Sequence, residues 1–175
     1  MRVPAHKNPT LNARINPVAN AMINPALNAA LNPALNPLLN PALNPQLNPA
    51  LNPRVNPALN PKINYALNPA LNPALNPHIN PALNPSINPA LSPNPGVVFL
   101  FGMNHRARSF AVPAANGALV LFDEANQHQG TAAPGPNGTF LVFDRSHRWR
   151  GYLVPDRQGG YLHFRDDANW IGYAL

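Results

Sequence analysis

The chain has 175 residues, a formal charge of +6, 24 prolines and no cysteine. That length allows one or two small domains, and the missing cysteine excludes a disulfide framework and a thiolate metal site. No apolar run is long enough to span a membrane, and the start, MRVPAHKNPT, lacks the apolar centre of a signal peptide.

Residues 1–7 read as a short N-terminal arm. From Asn8 to Leu91 the chain divides into 21 tetrads, each reading Asn, usually Pro, any residue, then an apolar residue. An α-helix is excluded, because 17 tetrads carry Pro and each internal Pro costs roughly 3 kcal/mol. A ladder strand is excluded because proline cannot donate to it. The tetrad suits a turn: Pro at the second position presets φ, and Asn at the first can accept a nearby backbone N–H.

The third position reveals a longer period. In one series it is Thr10, Val18, then Ala26, Ala34, Ala42, Ala50, Ala58, Ala66, Ala74, Ala82 and Ala90. In the alternate series it varies: Arg14, Met22, Ala30, Leu38, Gln46, Arg54, Lys62, Ala70, His78 and Ser86. The Ala series ends in Leu everywhere except Ala19, while the variable series mixes Leu with Ile15, Ile23, Val55, Ile63, Ile79 and Ile87. The unit is therefore eight residues built from two unlike halves. It predicts a narrow Asn-Pro tetrapeptide-repeat solenoid over 8–91, a rod of about 50 Å at the strand spacing. Its apolar fourth positions would point inward, its Asn side chains would stack as ladders, and its Ala face would be flat. A flexible proline-rich linker is the competing reading.

Residues 92–175 change character. A period of 21 places Phe101, Phe122, Phe143 and Phe164 in one column and Gly96, Gly117, Gly138 and Gly159 in another. The turns PAANG, PGPNG and PDRQG, two of them Asn-Gly, alternate with strand-like runs such as ALVLF and TFLVF. The domain starts at a turn and stops at GYAL, so its two half-units sum to one. Four hairpins result if the last strand pairs with the first, which closes a barrel and removes its edges. Both strand faces are apolar, so the face away from the core needs a cover. The expected fold class is thus all-β: the eight-residue-coil solenoid, then a small antiparallel β domain of four 21-residue hairpin repeats.

Chemistry is sparse. The loops after the Phe column read GMNHRARS, DEANQHQG, DRSHRWRG and RDDANWIG. Arg106, Arg108, Arg145, Arg148, Trp149, Arg150 and Trp170 cluster there. Arg with aromatics can take a sugar, an anionic polymer or single-stranded nucleic acid. Asp123 and Asp144 each follow a column Phe and read as turn caps rather than acid–base groups. No phosphate loop, nucleophile elbow or His pair with ligand spacing is present. No cofactor, metal site or catalytic residue is expected. The composition points to a non-catalytic structural protein that self-assembles into a filament, fibre or surface appendage. Its assembly surfaces would be the Ala face (Ala26, Ala34, Ala42, Ala50, Ala58, Ala74, Ala82) and the terminal strand Gly172, Tyr173, Ala174 and Leu175. The alternative is an adhesin-like module whose head grips a carbohydrate or receptor, with the repeat as stalk. Either role implies an extracellular or surface-associated location.

Overall fold

The structure is a computed structural model describing residues 1–175. Eight strands follow Val97: β1 Val98–Gly102, β2 Ala107–Pro113, β3 Leu119–Asp123, β4 His128–Pro134, β5 Phe140–Asp144, β6 Trp149–Pro155, β7 Tyr161–Arg165 and β8 Trp170–Ala174. Each pairs antiparallel with the next, and β8 pairs with β1, so the barrel is closed. Leu175 N donates to Phe99 O at 3.0 Å, and Phe99 N donates to Leu175 O at 2.8 Å. The terminal strand therefore finds its partner in its own chain. It is not a free edge to which a neighbouring copy could add a strand.

The 21-residue columns mark how the barrel turns. At one end, Asn116-Gly117 and Asn137-Gly138 all take positive φ, between 57° and 74°, which Asn and Gly tolerate best. At the opposite, loop end, the left-handed residues are His105, Asn126, His147 and Ala168, again 21 apart. Register shifts at Leu100/Phe101, Leu121/Phe122, Val142/Phe143 and His163/Phe164 place one bulge in each loop-end hairpin. The glycine column follows from these bulges. A Cβ on Gly130 or Gly151 would run into the carbonyl of Phe143 or Phe164 on the neighbouring strand.

Strand alternation then sorts the side chains. Leu100, Ala111, Leu119, Leu121, Ala132, Val142, Leu153 and Ala174 fill the interior. The outer face is just as apolar, with Phe99, Phe101, Phe110 and Phe122 on one side and Leu141, Phe143, Tyr152 and Phe164 on the other. The tetrad segment covers that outer face. Ile23, Leu31, Val55 and Ile63 share a core with Phe143 and Phe164. Ile79 shares one with Phe99 and Phe110, joined by the partly buried Ile87, Met1 and Val3.

Residues 8–91 contain no strand. They are a train of short turns, some of them one-turn 3-10 helices such as Pro53–Val55 and Pro77–Ile79. Asn staples them, and not by stacking amides. Its Oδ1 accepts the backbone N–H two residues on, as Asn56 does from Ala58 at 2.9 Å and Asn60 from Lys62 at 3.1 Å. Its Nδ2 reaches back to the preceding unit. Asn56 donates to Pro49 O at 2.9 Å, and Asn60 donates to Arg54 O at 2.7 Å. One side chain thus satisfies a donor and an acceptor that proline-rich backbone leaves unpaired.

The two halves of the unit face opposite ways. In the variable series the fourth residue is inward: Ile23 and Leu71 are 0% exposed. In the Ala series the proline is inward instead, and its fourth-position Leu points to solvent. Thus Val55 and Pro57 are buried while Leu59 and Pro61 are exposed. The expectation that all fourth positions stack inward holds for only half of them. The Ala positions are exposed as well.

The segment does not stand off as a rod or stalk. Its contacts move round the barrel against the strand order. Asn20 Nδ2 lies 3.5 Å from Gln158 Oε1 in the β6–β7 turn. Pro45, Gln46 and Arg54 lie beside Pro134–Pro136 at the β4–β5 turn. Asn116 Nδ2, in the β2–β3 turn, donates to Lys62 O at 2.9 Å. The circuit ends where it began: Arg2 N donates to Pro89 O at 2.9 Å, and Lys7 Nζ to Val97 O at 2.7 Å. Burial without a carboxylate partner lowers the Lys7 pKa. One Ala-series proline is replaced, by Tyr65. Its ring packs 4.5 Å from that of His128 and 5.2 Å from that of His147, and its hydroxyl donates to Arg145 O at 2.8 Å. In the outer column Phe110, Thr131, Tyr152, Tyr173, the one small member lies on the same strand as His128. Tyr65 brings an aromatic ring to the strand that lacks one in that column.

Candidate functional site

Two regions expose regularly arranged side chains: the outward side of the tetrad segment and the loop end of the barrel. The outward side carries Leu11, Leu27, Leu35, Leu43, Leu51, Leu59, Leu67, Leu75, Leu83 and Leu91, each 61–71% exposed. They recur every eight residues, except where Ala19 interrupts. Such a row is forced by the local structure: Asn turns each tetrad, the alternate tetrads bury their fourth residue, and the rest must face out. The predicted residues Ala26, Ala34, Ala42, Ala50, Ala58, Ala74 and Ala82 each precede one of these leucines and are exposed beside it. Sequence reasoning sent every fourth position inward and so missed these leucines. Their signal is uniformity: β-branched residues appear only in the inward series, where the barrel shapes the fit.

At the loop end the predicted Arg–aromatic cluster is divided. Trp149 and Trp170 are partly buried against the outer-face core. Their indole N–H groups donate to Gly151 O at 2.8 Å and Gly172 O at 2.7 Å. His128 holds the same column, with Nε2 and Gly130 O 3.0 Å apart, and burial lowers its pKa, favouring the neutral ring. These rings serve the bulges, and Trp149 and Trp170 have no donor left for a ligand. Arg106, Arg145 and Arg148 are exposed on the loops. Arg150 is tied down: its Nε and Nη2 donate to Asp144 Oδ2 at 2.9 and 2.6 Å.

The carboxylates are turn caps. Asp123 Oδ1 accepts from Ala125 N and Gln127 N, both at 2.9 Å. Asp144 Oδ1 accepts from Ser146 N at 2.8 Å and Arg148 N at 3.0 Å. Desolvation, the largest single influence on Asp144, raises its pKa, but those bonds and Arg150 together outweigh it and hold the carboxyl below the usual range. No group of three or more metal-binding side chains is gathered anywhere, and no helix is long and apolar enough to cross a membrane.

The mouth of the barrel at this end is a ring of four cross-strand pairs. Asp123 faces Gln129, whose Nε2 donates to Asp123 Oδ2 at 2.7 Å, and Asp144 faces Arg150. The equivalent pairs by the 21-residue period are Gly102 with Arg108 and Arg165 with Ile171. In one half of the ring each carboxylate is thus engaged across the strand, Asp144 by a guanidinium and Asp123 by a neutral amide, and the other half holds two cations without a carboxylate across the strand. Arg165 Nη1 approaches only the exposed Asp167, at 3.8 Å. Comparison with protein-family models, with curated proteins and with solved structures finds no match to this chain.

Proposed function

We propose that the protein is a non-catalytic structural subunit that self-associates through the outward leucine row of its tetrad segment. The observation that carries this is the row itself: ten leucines, 61–71% exposed, on one repeating side. Exposed apolar area on that scale marks an interaction surface. A second copy is the fitting partner because the eight-residue spacing is matched by nothing so well as the same spacing. The segment acts as an Asn-Pro repeat solenoid bent round the barrel: inward residues hold it there, and outward residues meet the neighbour. The barrel, closed within one chain, supplies the rigid hub. A filament, fibre or surface appendage is the assembly that such a subunit builds. The flanking third positions carry Arg14, Arg54 and Lys62 and no acid, so added salt should screen their repulsion and favour association.

Sedimentation over a wide concentration range tests the proposal. The parent protein should form larger species as concentration and salt rise. The triple variant Leu51→Lys, Leu59→Lys, Leu67→Lys should stay monomeric and melt at the parent temperature. A parent that is monomeric throughout, or a triple variant that assembles like it, removes this reading.

A further inference from the structure

A cavity of about 560 Å³ opens at the loop end of the barrel, over the half of the mouth whose cations lack a cross-strand carboxylate. Arg108 and Arg165 line it, with Ser109 and His163 beside them and Leu100, Trp170 and Ile171 among the apolar walls. The 21-residue period shows how unusual this half is. His163 occupies the interior column otherwise filled by Leu100, Leu121 and Val142. Arg165 stands where Asp123 and Asp144 stand, and Arg108 crosses a glycine. A Cβ at Gly102 would sit 2.6 Å from Arg108 Nε, so the glycine lets the guanidinium lie across the mouth. Three departures from the repeat thus converge on one cavity.

We propose that this cavity binds a small organic carboxylate, with the carboxylate taken between Arg108 and Arg165 and an apolar body laid against Trp170, Ile171 and Leu100. Guanidinium forks match carboxylate geometry. The apolar walls select an acid with a hydrocarbon body over a bare, hydrated anion, which would leave those walls unfilled. Ser109 and His163 supply the polar contacts below the carboxylate. The indole N–H of Trp170 is held by Gly172 O at 2.7 Å, so the ring is a fixed wall rather than a donor. This site is independent of the leucine row and of self-association.

Benzoate serves as the probe, with inorganic phosphate beside it, and the readouts are the Trp170 indole and His163 ring resonances of the full chain. Benzoate should shift both saturably. A bound anion favours the imidazolium, so it should also raise the His163 pKa, which burial holds at about 4. Arg108→Gln and Arg165→Gln should each weaken benzoate by about tenfold or more. Arg150→Gln should not, because that guanidinium is already engaged by Asp144. All three arginines are exposed, and a thermal melt of each variant checks that the fold persists. No saturable shift with benzoate, binding of phosphate in its place, or equal weakening by Arg150→Gln overturns the proposal.

Discussion

Ile63→Ala and Leu59→Ala differ by one tetrad and should differ greatly in effect. Ile63 is 5% exposed and packs in the core that holds Leu141, Phe143 and Phe164. Leu59 is 61% exposed. Truncating the first leaves a cavity between the tetrad segment and the barrel, which costs about 2–5 kcal/mol. Truncating the second removes a solvated side chain and stays within about 0.5 kcal/mol. A loss of 3 kcal/mol lowers the melting temperature of a chain this size by roughly 6–12 °C. Both tryptophans sit on barrel strands and pack against the core that the barrel shares with the tetrad segment, so their fluorescence reports that shared core. A change in residue 63 should therefore move the tryptophan transition. If Ile63→Ala leaves that transition in place, the segment unfolds apart from the barrel and the shared core is wrong.

Gly151→Ala should destabilise the barrel by several kcal/mol in urea unfolding, because its Cβ meets the Phe164 carbonyl and φ is 155°. Asn64→Asp should cost about 1–3 kcal/mol despite near-identical shape. The buried Nδ2 that donates to Pro57 O at 2.9 Å becomes an oxygen facing an oxygen, and thermal melting reads the loss. Tyr65→Pro restores the repeat yet should lower the melting temperature, since it removes the ring between His128 and His147 and the bond to Arg145 O.

The barrel was legible because a 21-residue period is a spatial statement. Matching half-units at the two ends implied closure, and the apolar outer columns implied a cover. The cover's identity was hidden, although it stands in the same chain. Reading each tetrad as one turn is correct, but turn chemistry does not say which way a turn faces. Val55 and Leu59 are equally apolar, and only packing against Phe143 and Phe164 separates them. The Asn pattern misled in a similar way: regular Asn suggests an amide ladder, but Asn56 spends both ends on backbone. At the loop end the basic residues were visible and their roles were not. Trp149 and Trp170 sit in the column of His128, and that column exists to bond the glycine carbonyls at the bulges. The mouth residues His163 and Arg165 were findable by the same column alignment, as the single histidine among Leu and Val and the single arginine in a column of one glycine and two aspartates.

His163→Leu is the substitution in which stability and the proposed binding site should part company. The interior column takes Leu or Val in the other three units, so leucine fits the position by the barrel's own precedent. Burial alone depresses the His163 pKa from 6.5 to about 4. Part of its surface opens into the cavity, and this limits the penalty. The sign follows from proton counting. Between pH 6.5 and about 4 the unfolded chain binds a proton at this position that the folded chain does not. Stability therefore falls as pH drops through that window, by something on the order of 1–3 kcal/mol. Leucine removes the proton and the slope with it. The variant should melt higher than the parent at pH 5, and by a smaller margin at pH 7. Its remaining acid sensitivity should appear at lower pH, where carboxylates such as Asp144 titrate. The same variant should bind benzoate more weakly, since the imidazole beside the two guanidiniums is gone. Higher stability with weaker binding would mean that the histidine is kept against the interest of the fold. A variant that is less stable than the parent at pH 5 would show that His163 belongs to the packing of the barrel and not to its mouth.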